Sequence, residues 1–470
     1  MKRTLCLVFI FVFLTSFIFS GCGSNNQAQT ATTSGNSSTQ AEASSTQNAP
    51  TANTKIIVTP QLIGDPDAKI SISWLPKDGL DTPNKAVATY LADKAKAWVE
   101  KNPDVKIIPI AQTVNIQDAM AKLMVQVAAG NAPDVSGIDS FLVSKYYGYL
   151  QPVDDILKEK NIPLDSWFPF AQNVMKPKDK ILAMMFTTDV RLFYYRKDLI
   201  QTPPTNWDEL ITTAKQMSDK GNVGFLYPAG RNETTSCDFL PYFWSQGGKL
   251  VDDSGNPVFN QGDNKTYMLN ALNFIKQTID EGISPKRVST FKADSDMNSE
   301  IASGKVAMFL GGNWLAKQVS DIIGTQQFSD LWAVAPIPMK AGASRTTTSG
   351  GWTLGIFTDD EQKRKLAADF VISLYIDDEG MAGYCSAYGL LPPRKTIYDS
   401  AEPFKTNTVF QQCKEELEYT TIRPGASIYN VISQDLQIAL SNVITGVSTP
   451  EKALDEAWND VLKQKDAQKQ

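Results

Sequence analysis

Two periods of apolar and polar residues alternate along the chain after residue 55. Residues 69–74 alternate polar and apolar side chains, which predicts a β-strand. The next segment carries apolar residues at helical spacing until Asn102-Pro103 ends it. Its apolar stripe consists of Val87, Leu91, Ala95 and Trp98. Because strands that alternate with helices form parallel sheets covered on both faces, we expect an α/β fold with mostly parallel sheets.

The same two patterns continue towards the C-terminus. Further strands are predicted at residues 105–110, 135–138, 181–186, 191–195 and 305–310. Further helices are expected to begin at Thr205 and Pro450, and to end near Gly130, Gly282 and Gly446. The chain has 470 residues, whereas a single hydrophobic core stops growing at about 250–300 residues, so we expect two lobes or domains.

The N-terminus has the order of an export signal. Lys2-Arg3 precedes an apolar stretch at residues 5–19, and Ser20-Gly21-Cys22 follows it. The stretch is too short for a membrane span, so residues 1–21 are predicted to be a signal peptide. Ser-Gly-Cys resembles the lipobox of bacterial lipoproteins, in which the Cys thiol receives a diacylglycerol, although Phe19 stands where Leu is usual. The alternative is a plain secretory signal in which Cys22 is incidental.

Residues 22–54 form a polar tether in this interpretation. Beyond Cys22 the segment contains no Val, Ile, Leu, Met or aromatic residue. Such a segment has no apolar surface to bury, so we expect it to be disordered. A flexible chain of about 30 residues reaches about 30 Å, enough to let a folded body move while staying attached to a membrane. The alternative is an ordinary flexible terminus.

Composition and charge exclude several functional classes. The formal net charge is −6 and no long basic run occurs, which argues against a nucleic-acid partner. The chain has no His, which excludes Ser-His-Asp and Cys-His catalysis and His-containing metal sites. Cys237, Cys385 and Cys413 are too scattered for a disulfide framework or a metal site, and whether two of them pair stays open. We therefore expect no metal and no cofactor.

Eight short motifs occur along the chain in a fixed order. They are residues 128–135 (AAGNAPDV), 193–199 (FYYRKDL), 203–210 (PPTNWDEL), 243–248 (FWSQGG), 303–308 (SGKVAM), 311–314 (GGNW), 349–352 (SGGW) and 389–392 (GLLP). Together they resemble the extracellular sugar-binding lipoproteins of ABC transporters, the family that includes maltose-binding protein. The resemblance covers residues 68–465, and Arg196 departs from the Asn that is usual in the second motif.

The resemblance implies a periplasmic-binding-protein-like fold of two α/β lobes joined by a multi-strand hinge. Crossovers are expected near residues 188–191, 342–349 and 391–394. Lobe one would be residues 55–189 plus 350–392, and lobe two would be residues 190–349 plus 393–470. The lobes would close on a ligand in the cleft between them by a hinge motion.

The resemblance also implies a function and a location. The protein would capture a carbohydrate, bind it without chemistry and deliver it to membrane permease subunits. It would be a monomer outside the cell, anchored by lipid on the outer face of the membrane of a single-membrane bacterium.

Four tryptophans are candidates for stacking on a sugar ring. Trp74 ends the first predicted strand, while Trp314 and Trp352 each follow a pair of glycines that allow close approach to a ligand. Trp244 lies just before Gly247-Gly248 and could line the cleft. For each of them the alternative is packing in the hydrophobic core.

Six polar residues are candidates for bonding to sugar hydroxyls. Carboxylates accept hydrogen bonds from neighbouring hydroxyls, and Arg donates them. Strand ends and crossovers are the positions that face a cleft. The candidates are Asp139, Asp189, Glu233, Asn313, Arg394 and Arg423. For each the alternative is a solvated loop charge or a helix cap.

Two other functions remain open from the residues alone. A glycosidase needs only two carboxylates, and Asp139 with Asp189 or Glu233 could form such a pair. A binding protein for a polyamine, a peptide or an anion would use similar residue types. The family resemblance favours sugar binding over both.

Overall fold

The computed structural model describes residues 55–111 and 116–467. The predicted signal peptide, Cys22 and the tether lie outside these residues, so those predictions stay untested. Within the described residues, no helix is both long and apolar enough to cross a membrane.

The strands are β1 (Ile57–Val58), β2 (Ile63–Gly64), β3 (Ile70–Leu75), β4 (Val105–Pro109), β5 (Val135–Asp139), β6 (Met184–Arg196), β7 (Met308–Gly312), β8 (Trp332–Ala335), β9 (Thr347–Ile356) and β10 (Thr420–Ile422). The predicted strands correspond to β3, β4, β5, β6 and β7, whereas β1, β2, β8, β9 and β10 were not predicted. One difference is important for the site. The two strands predicted at 181–186 and 191–195 are a single strand, β6.

Helices fill most of the chain between the strands. They are α1 (Lys85–Lys101), α2 (Ile116–Ala128), α3 (Asp154–Glu159), α4 (Pro169–Met175), α5 (Trp207–Asp219), α6 (Glu233–Trp244), α7 (Gly262–Asp280), α8 (Asn298–Ala302), α9 (Trp314–Ile323), α10 (Thr325–Leu331), α11 (Glu361–Tyr375), α12 (Asp378–Tyr388), α13 (Ile397–Ser400), α14 (Thr408–Glu416), α15 (Tyr429–Thr445) and α16 (Pro450–Ala467).

Helix ends follow local side-chain chemistry. Pro450 begins α16 as predicted, and Gly446 ends α15 in the left-handed conformation. The predicted cap at Thr205 is displaced by one residue, because Asn206 accepts the hydrogen bond from the backbone N–H of Glu209. Thr205 instead donates its backbone N–H and its hydroxyl to the Glu209 carboxylate.

The strands pair in the order β1-β2-β4-β3-β5-β9-β6-β7, with β10 on β9 and β8 on β6. The pairs β3–β4, β3–β5 and β9–β10 are parallel, whereas every described pair that β6 makes is antiparallel. The sheet is therefore mixed rather than mostly parallel, because the long strands β6 and β9 run antiparallel to each other and to the neighbours β5, β7 and β8.

β6 passes from one lobe to the other. Its first part, Met184–Val190, pairs with β9, and its second part, Arg191–Arg196, pairs with β7 and β8. We call the body built on β1–β5 the first lobe and the body built on β7 and β8 the second lobe. Gly351 of β9 pairs with Thr188 of β6; a Cβ on Gly351 would lie 2.0 Å from the carbonyl oxygen of Thr187, and its φ is 139°. Only glycine fits this point.

The core extends through both lobes. Its largest fully buried side chains include Trp74, Trp167, Tyr194 and Tyr384. The three cysteines of the described chain are buried and free, so none of them pairs in this structure. The segment that starts at Arg394 packs against the first lobe, since Tyr398 contacts Phe168 with ring centroids 6.2 Å apart.

Candidate functional site

A cavity of about 700 Å³ lies beside the crossing of β6 and β9. This volume is within the range of about 300–1,000 Å³ that is usual for ligand pockets. Its walls come from both lobes and include Lys77, Thr187, Asp189, Trp314, Trp352 and Tyr388. Three residues proposed from the sequence, Asp189, Trp314 and Trp352, therefore line one cavity although they are distant in the chain.

Trp314 is held in a fixed position at the start of α9. A Cβ on Gly312 would lie 2.4 Å from the indole ring, so the ring packs directly on the glycine backbone. The guanidinium carbon of Arg191 lies 4.6 Å from the centroid of the indole, within the range of a cation–π contact. The Gly-Gly sequence before Trp314 is therefore a packing requirement of the aromatic wall.

Arg191 belongs to a buried ion cluster behind this wall. Its Nε lies 2.9 Å from Asp238, and its Nη1 lies 3.5 Å from Asp294. The three side chains are 5 %, 3 % and 2 % exposed. Burial raises the pKa of Asp238 and of Asp294, and the charge of Arg191 opposes this effect. Arg191 thus pairs with two buried carboxylates of the second lobe and also packs against the ring of Trp314.

Asp189 is the carboxylate of the cavity wall that is not paired with another side chain, whereas Asp321 pairs with Lys317. The half-buried carboxylate of Asp189 has no hydrogen bond or ion pair among the described residues. Burial raises the pKa of Asp189, whereas the positive charges of Arg191 and Arg423 lower it. A carboxylate in this position can accept hydrogen bonds from a ligand without first giving up a protein partner.

Lys77 was missed in the list of candidates. It follows β3, and its Nζ lies 3.9 Å from the ring centroid of Tyr388 and 5.6 Å from that of Trp352. Its ammonium pairs with Asp78 at 2.6 Å, and Asp78 also accepts from the hydroxyl of Tyr384 at 2.8 Å. The available signal was the Pro-Lys-Asp-Gly loop at the carboxyl end of a parallel strand, where ligands bind in open α/β sheets.

Asp139, Glu233 and Arg423 meet in a second polar cluster. Nη1 of Arg423 lies 3.0 Å from Glu233, and Nη2 lies 3.7 Å from Asp139. Glu233 also accepts from the hydroxyls of Tyr429 at 2.5 Å and Ser433 at 2.6 Å. Burial raises the pKa of Asp139 to about 6, although the charge of Arg423 opposes this. Each of these residues was proposed separately from the sequence as a contact for sugar hydroxyls. In the structure Arg423 forms ion pairs with both carboxylates instead.

Two other candidates lie away from the cavity. Trp74 is completely buried and packs on Phe370 and Tyr375 of α11 in the hydrophobic core. Arg394 is 5 % exposed; it donates to the Ile376 carbonyl and lies 5.2 Å from the ring centroid of Trp167. We remove both from the candidate set, because each is enclosed by its own lobe.

Asn313 and Trp244 have structural surroundings. Asn313 accepts from the backbone N–H of Val190 at 3.2 Å and donates to the Gly389 carbonyl at 3.1 Å, so it ties β6 to the end of α12. Trp244 is half-buried at the end of α6, packs against the core and does not line the cavity. Neither residue lines the cavity beside the crossing of β6 and β9, although Asn313 borders a second cavity of about 690 Å³.

The two-lobe fold with a cavity between the lobes defines the class of solute-binding proteins. Residues 91–411 match the family described as bacterial extracellular solute-binding protein, and the chain belongs to this family. The chain is therefore an extracellular solute-binding protein. Members of this family are not normally enzymes, and membership implies an exported protein.

Individual relatives agree with this assignment. A probable ABC transporter-binding protein of Deinococcus radiodurans is 26 % identical over 381 residues, which cover 77 % of this chain and 86 % of the relative. Maltose-bound MalE3 of T. maritima is 24 % identical and matches 84 % of this chain and all of its own chain, with a TM-score of 0.66. The sugar-binding protein MalE of Xanthomonas citri is 19 % identical and matches 85 % and 99 %, with a TM-score of 0.69.

Proposed function

We propose that the protein captures a carbohydrate, in particular an oligosaccharide, in the cavity between its lobes and delivers it to membrane permease subunits. The observation that carries this proposal is the unpartnered carboxylate of Asp189 in a cavity lined by Trp314, Trp352 and Tyr388. A sugar needs acceptors and donors for its hydroxyls and apolar platforms for its C–H faces. The cavity supplies all three, with Lys77 as the donor.

The charge balance of the cavity favours a neutral ligand over a polyamine or an anion. The ammonium of Lys77 pairs with Asp78 at 2.6 Å, and that of Lys317 pairs with Asp321 at 2.8 Å. Asp189 is the carboxylate left over, and the exposed Lys85 at the rim balances it in sign. Solved proteins with this fold are described as bound to maltose, maltotetraose and α-D-tagatose, which supports the same ligand class.

A thermal-shift screen tests the ligand class directly. Sugars and oligosaccharides are compared with polyamines, amino acids and anions, because a ligand that binds the folded state raises the unfolding midpoint. The Asp189→Asn variant should lose most of the shift given by the true ligand. Asp253→Asn, which alters an exposed turn, is the matched control. If no carbohydrate gives a shift, or if Asp189→Asn responds like the control, the proposal is wrong.

The glycosidase alternative loses its proposed carboxylate pair. Asp139 and Glu233 both contact Arg423, so neither is presented to a ligand as a free acid or nucleophile. Release of reducing sugar from an oligosaccharide by the purified protein would support that alternative.

We also propose that Cys22 carries a lipid and that the chain acts as a membrane-anchored monomer. The support is the Ser-Gly-Cys sequence after the apolar stretch and the polar segment behind it. Tethering raises the effective concentration of a carrier near its permease. Fatty-acid labelling of cells that express the protein or its Cys22→Ser variant tests the anchor; equal labelling would refute it. An outer surface without a second membrane is the setting in which such an anchor is most useful.

The lobe boundaries remain a proposal with one revision. We keep lobe one at residues 55–189 plus 350–392 and assign residues 393–404 to it as well, because Arg394 and Tyr398 contact residues 166–168. Lobe two then consists of residues 190–349 and the remainder. If the lobes close on ligand, X-ray scattering should give a smaller radius of gyration at saturating ligand.

A further inference from the structure

Residues 423–429, which we call the Arg423 segment, lead from β10 into α15 of the second lobe. They contact the first lobe just after β5. Arg423 lies 3.7 Å from Asp139 and 4.3 Å from the ring centroid of Phe141. The rings of Phe141 and Tyr429 meet at a centroid distance of 5.8 Å. The segment therefore joins the two lobes through contacts that involve no ligand.

The same segment is anchored firmly in the second lobe. Arg423 donates to Glu233 at the start of α6 at 3.0 Å, and Tyr429 donates to the same carboxylate at 2.5 Å. The side chain of Arg423 is only 9 % exposed, and so is that of Asp139. An arginine held at this depth between carboxylates of two lobes loses one partner when the lobes separate, and this loss opposes opening.

The backbone also approaches closely across the cleft at Gly425. A Cβ built on Gly425 would lie 3.4 Å from the carbonyl oxygen of Phe141 and 3.5 Å from the Cβ of Ser144. The Ser144 hydroxyl lies 3.4 Å from the Gly425 carbonyl oxygen, to which it donates. This contact joins a segment of the second lobe directly to residues that follow β5 of the first lobe.

We infer that the Arg423 segment is a latch that stabilises the closed arrangement of the lobes before ligand binds. It consists of two ion pairs of Arg423: the pair with Asp139 joins the lobes, and the pair with Glu233 holds Arg423 in the second lobe. The latch biases an equilibrium between open and closed forms, and a ligand that binds the closed form then needs to shift it less. The inference rests on the proposed function for its use, since a latch of this kind matters only to a protein that closes on a ligand.

A disulfide between the lobes measures this equilibrium without any ligand. Disulfides need Cβ atoms about 3.5–4.5 Å apart, and the Ser144–Gly425 separation of 3.5 Å fits. We would introduce Ser144→Cys and Gly425→Cys together into the exported chain, with Cys22→Ser to remove its thiol. The native cysteines of the described chain are buried. The rate of cross-linking at pH 8 reports how often the lobes are closed.

The latch predicts that the ligand-free double-cysteine protein cross-links readily. Adding Arg423→Gln or the milder Asp139→Asn should slow cross-linking at least fivefold. Asp139→Asn leaves the ion pair between Arg423 and Glu233 in place, so it removes only the ion pair between the lobes. Arg287→Gln, which breaks an ion pair with Glu300 within the second lobe, should leave the rate unchanged.

Scattering separates a latch from a loosened loop. In the chain with native Ser144 and Gly425, Arg423→Gln or Asp139→Asn should raise the radius of gyration of the ligand-free protein. Absent cross-linking in the parent, unchanged rates in both variants, or slower rates with an unchanged radius would each overturn the inference. These measurements contain no ligand, so failure of the carbohydrate proposal in the thermal-shift screen would not alter them.

Discussion

Replacing Arg191 by Met should destabilise the protein strongly and in a pH-dependent manner. The substitution keeps a long side chain but removes the only cation paired with Asp238 and Asp294 in the described structure. All three side chains are at most 5 % exposed, so water cannot take the place of the guanidinium. Removing one partner of a buried ion pair costs about 3–5 kcal/mol. We expect a loss of unfolding free energy in that range at pH 7.

The pH dependence follows from the two carboxylates that remain. Burial already raises the pKa of Asp238 and of Asp294, and removal of Arg191 raises both further. The folded variant then binds protons that the unfolded chain has released, so its stability falls as pH rises above the ordinary carboxyl range of about 4. The deficit relative to the wild type should therefore shrink as the pH is lowered from 7 towards 4.

Urea unfolding of both proteins at several pH values measures this difference. Arg287→Met is the matched control, because Arg287 pairs with Glu300 at a position where 48 % of its side chain is exposed. Surface pairs contribute about 0–1 kcal/mol, so the control should stay near the wild type. A loss below about 1 kcal/mol for Arg191→Met at pH 7, or a deficit that is constant with pH, would refute the reasoning from buried charge.

Three further predictions concern the cavity and the latch. Asp189→Asn should weaken ligand binding by about tenfold or more in calorimetry, since hydrogen bonds to a charged group contribute about 1.5–3 kcal/mol; an affinity equal to that of Asp253→Asn would contradict this. Trp314→Ala should weaken binding more than Trp314→Phe, which keeps an aromatic face; equal affinities would exclude stacking. Because burial raises the pKa of Asp139 from 3.8 to about 6, wild-type stability relative to Asp139→Asn should fall by about 2 kcal/mol as pH rises from 4 to 7; a difference in urea unfolding that is constant with pH would disprove this shift.

Local sequence pattern predicted part of the secondary structure, because helix ends and alternating strands depend on the preferences of neighbouring residues; strands such as β9 were not predicted. The start of α16 at Pro450 and the end of α15 at Gly446 were predicted from backbone preferences of single residues. The single strand β6 was predicted as two, because Asp189 interrupts the apolar pattern in its middle. Asp189 is also the point where β6 lines the cavity, so the strand was wrongly divided at the candidate binding site.

The tryptophans show where local pattern stops being informative. Trp74, Trp314 and Trp352 all lie at or near strand ends, and two follow paired glycines. Trp74 is covered by Phe370 and Tyr375 of α11, whereas Trp314 and Trp352 line the cavity. Whether an aromatic residue is core or cavity wall depends on what packs over it, and that partner is almost 300 residues away for Trp74.

The sequence by itself determined several of the longer helices, five of the ten described strands, the resemblance to sugar-binding proteins and the list of charged residues from which the site is drawn. Only the tertiary structure decided which charges pair. Arg423 binds Glu233, which lies 190 residues earlier, and approaches Asp139 across the lobes, while Asp189 is left without a partner. The physical reason is that electrostatic attraction depends on distance in space and on burial, and neither can be read from the order of residues.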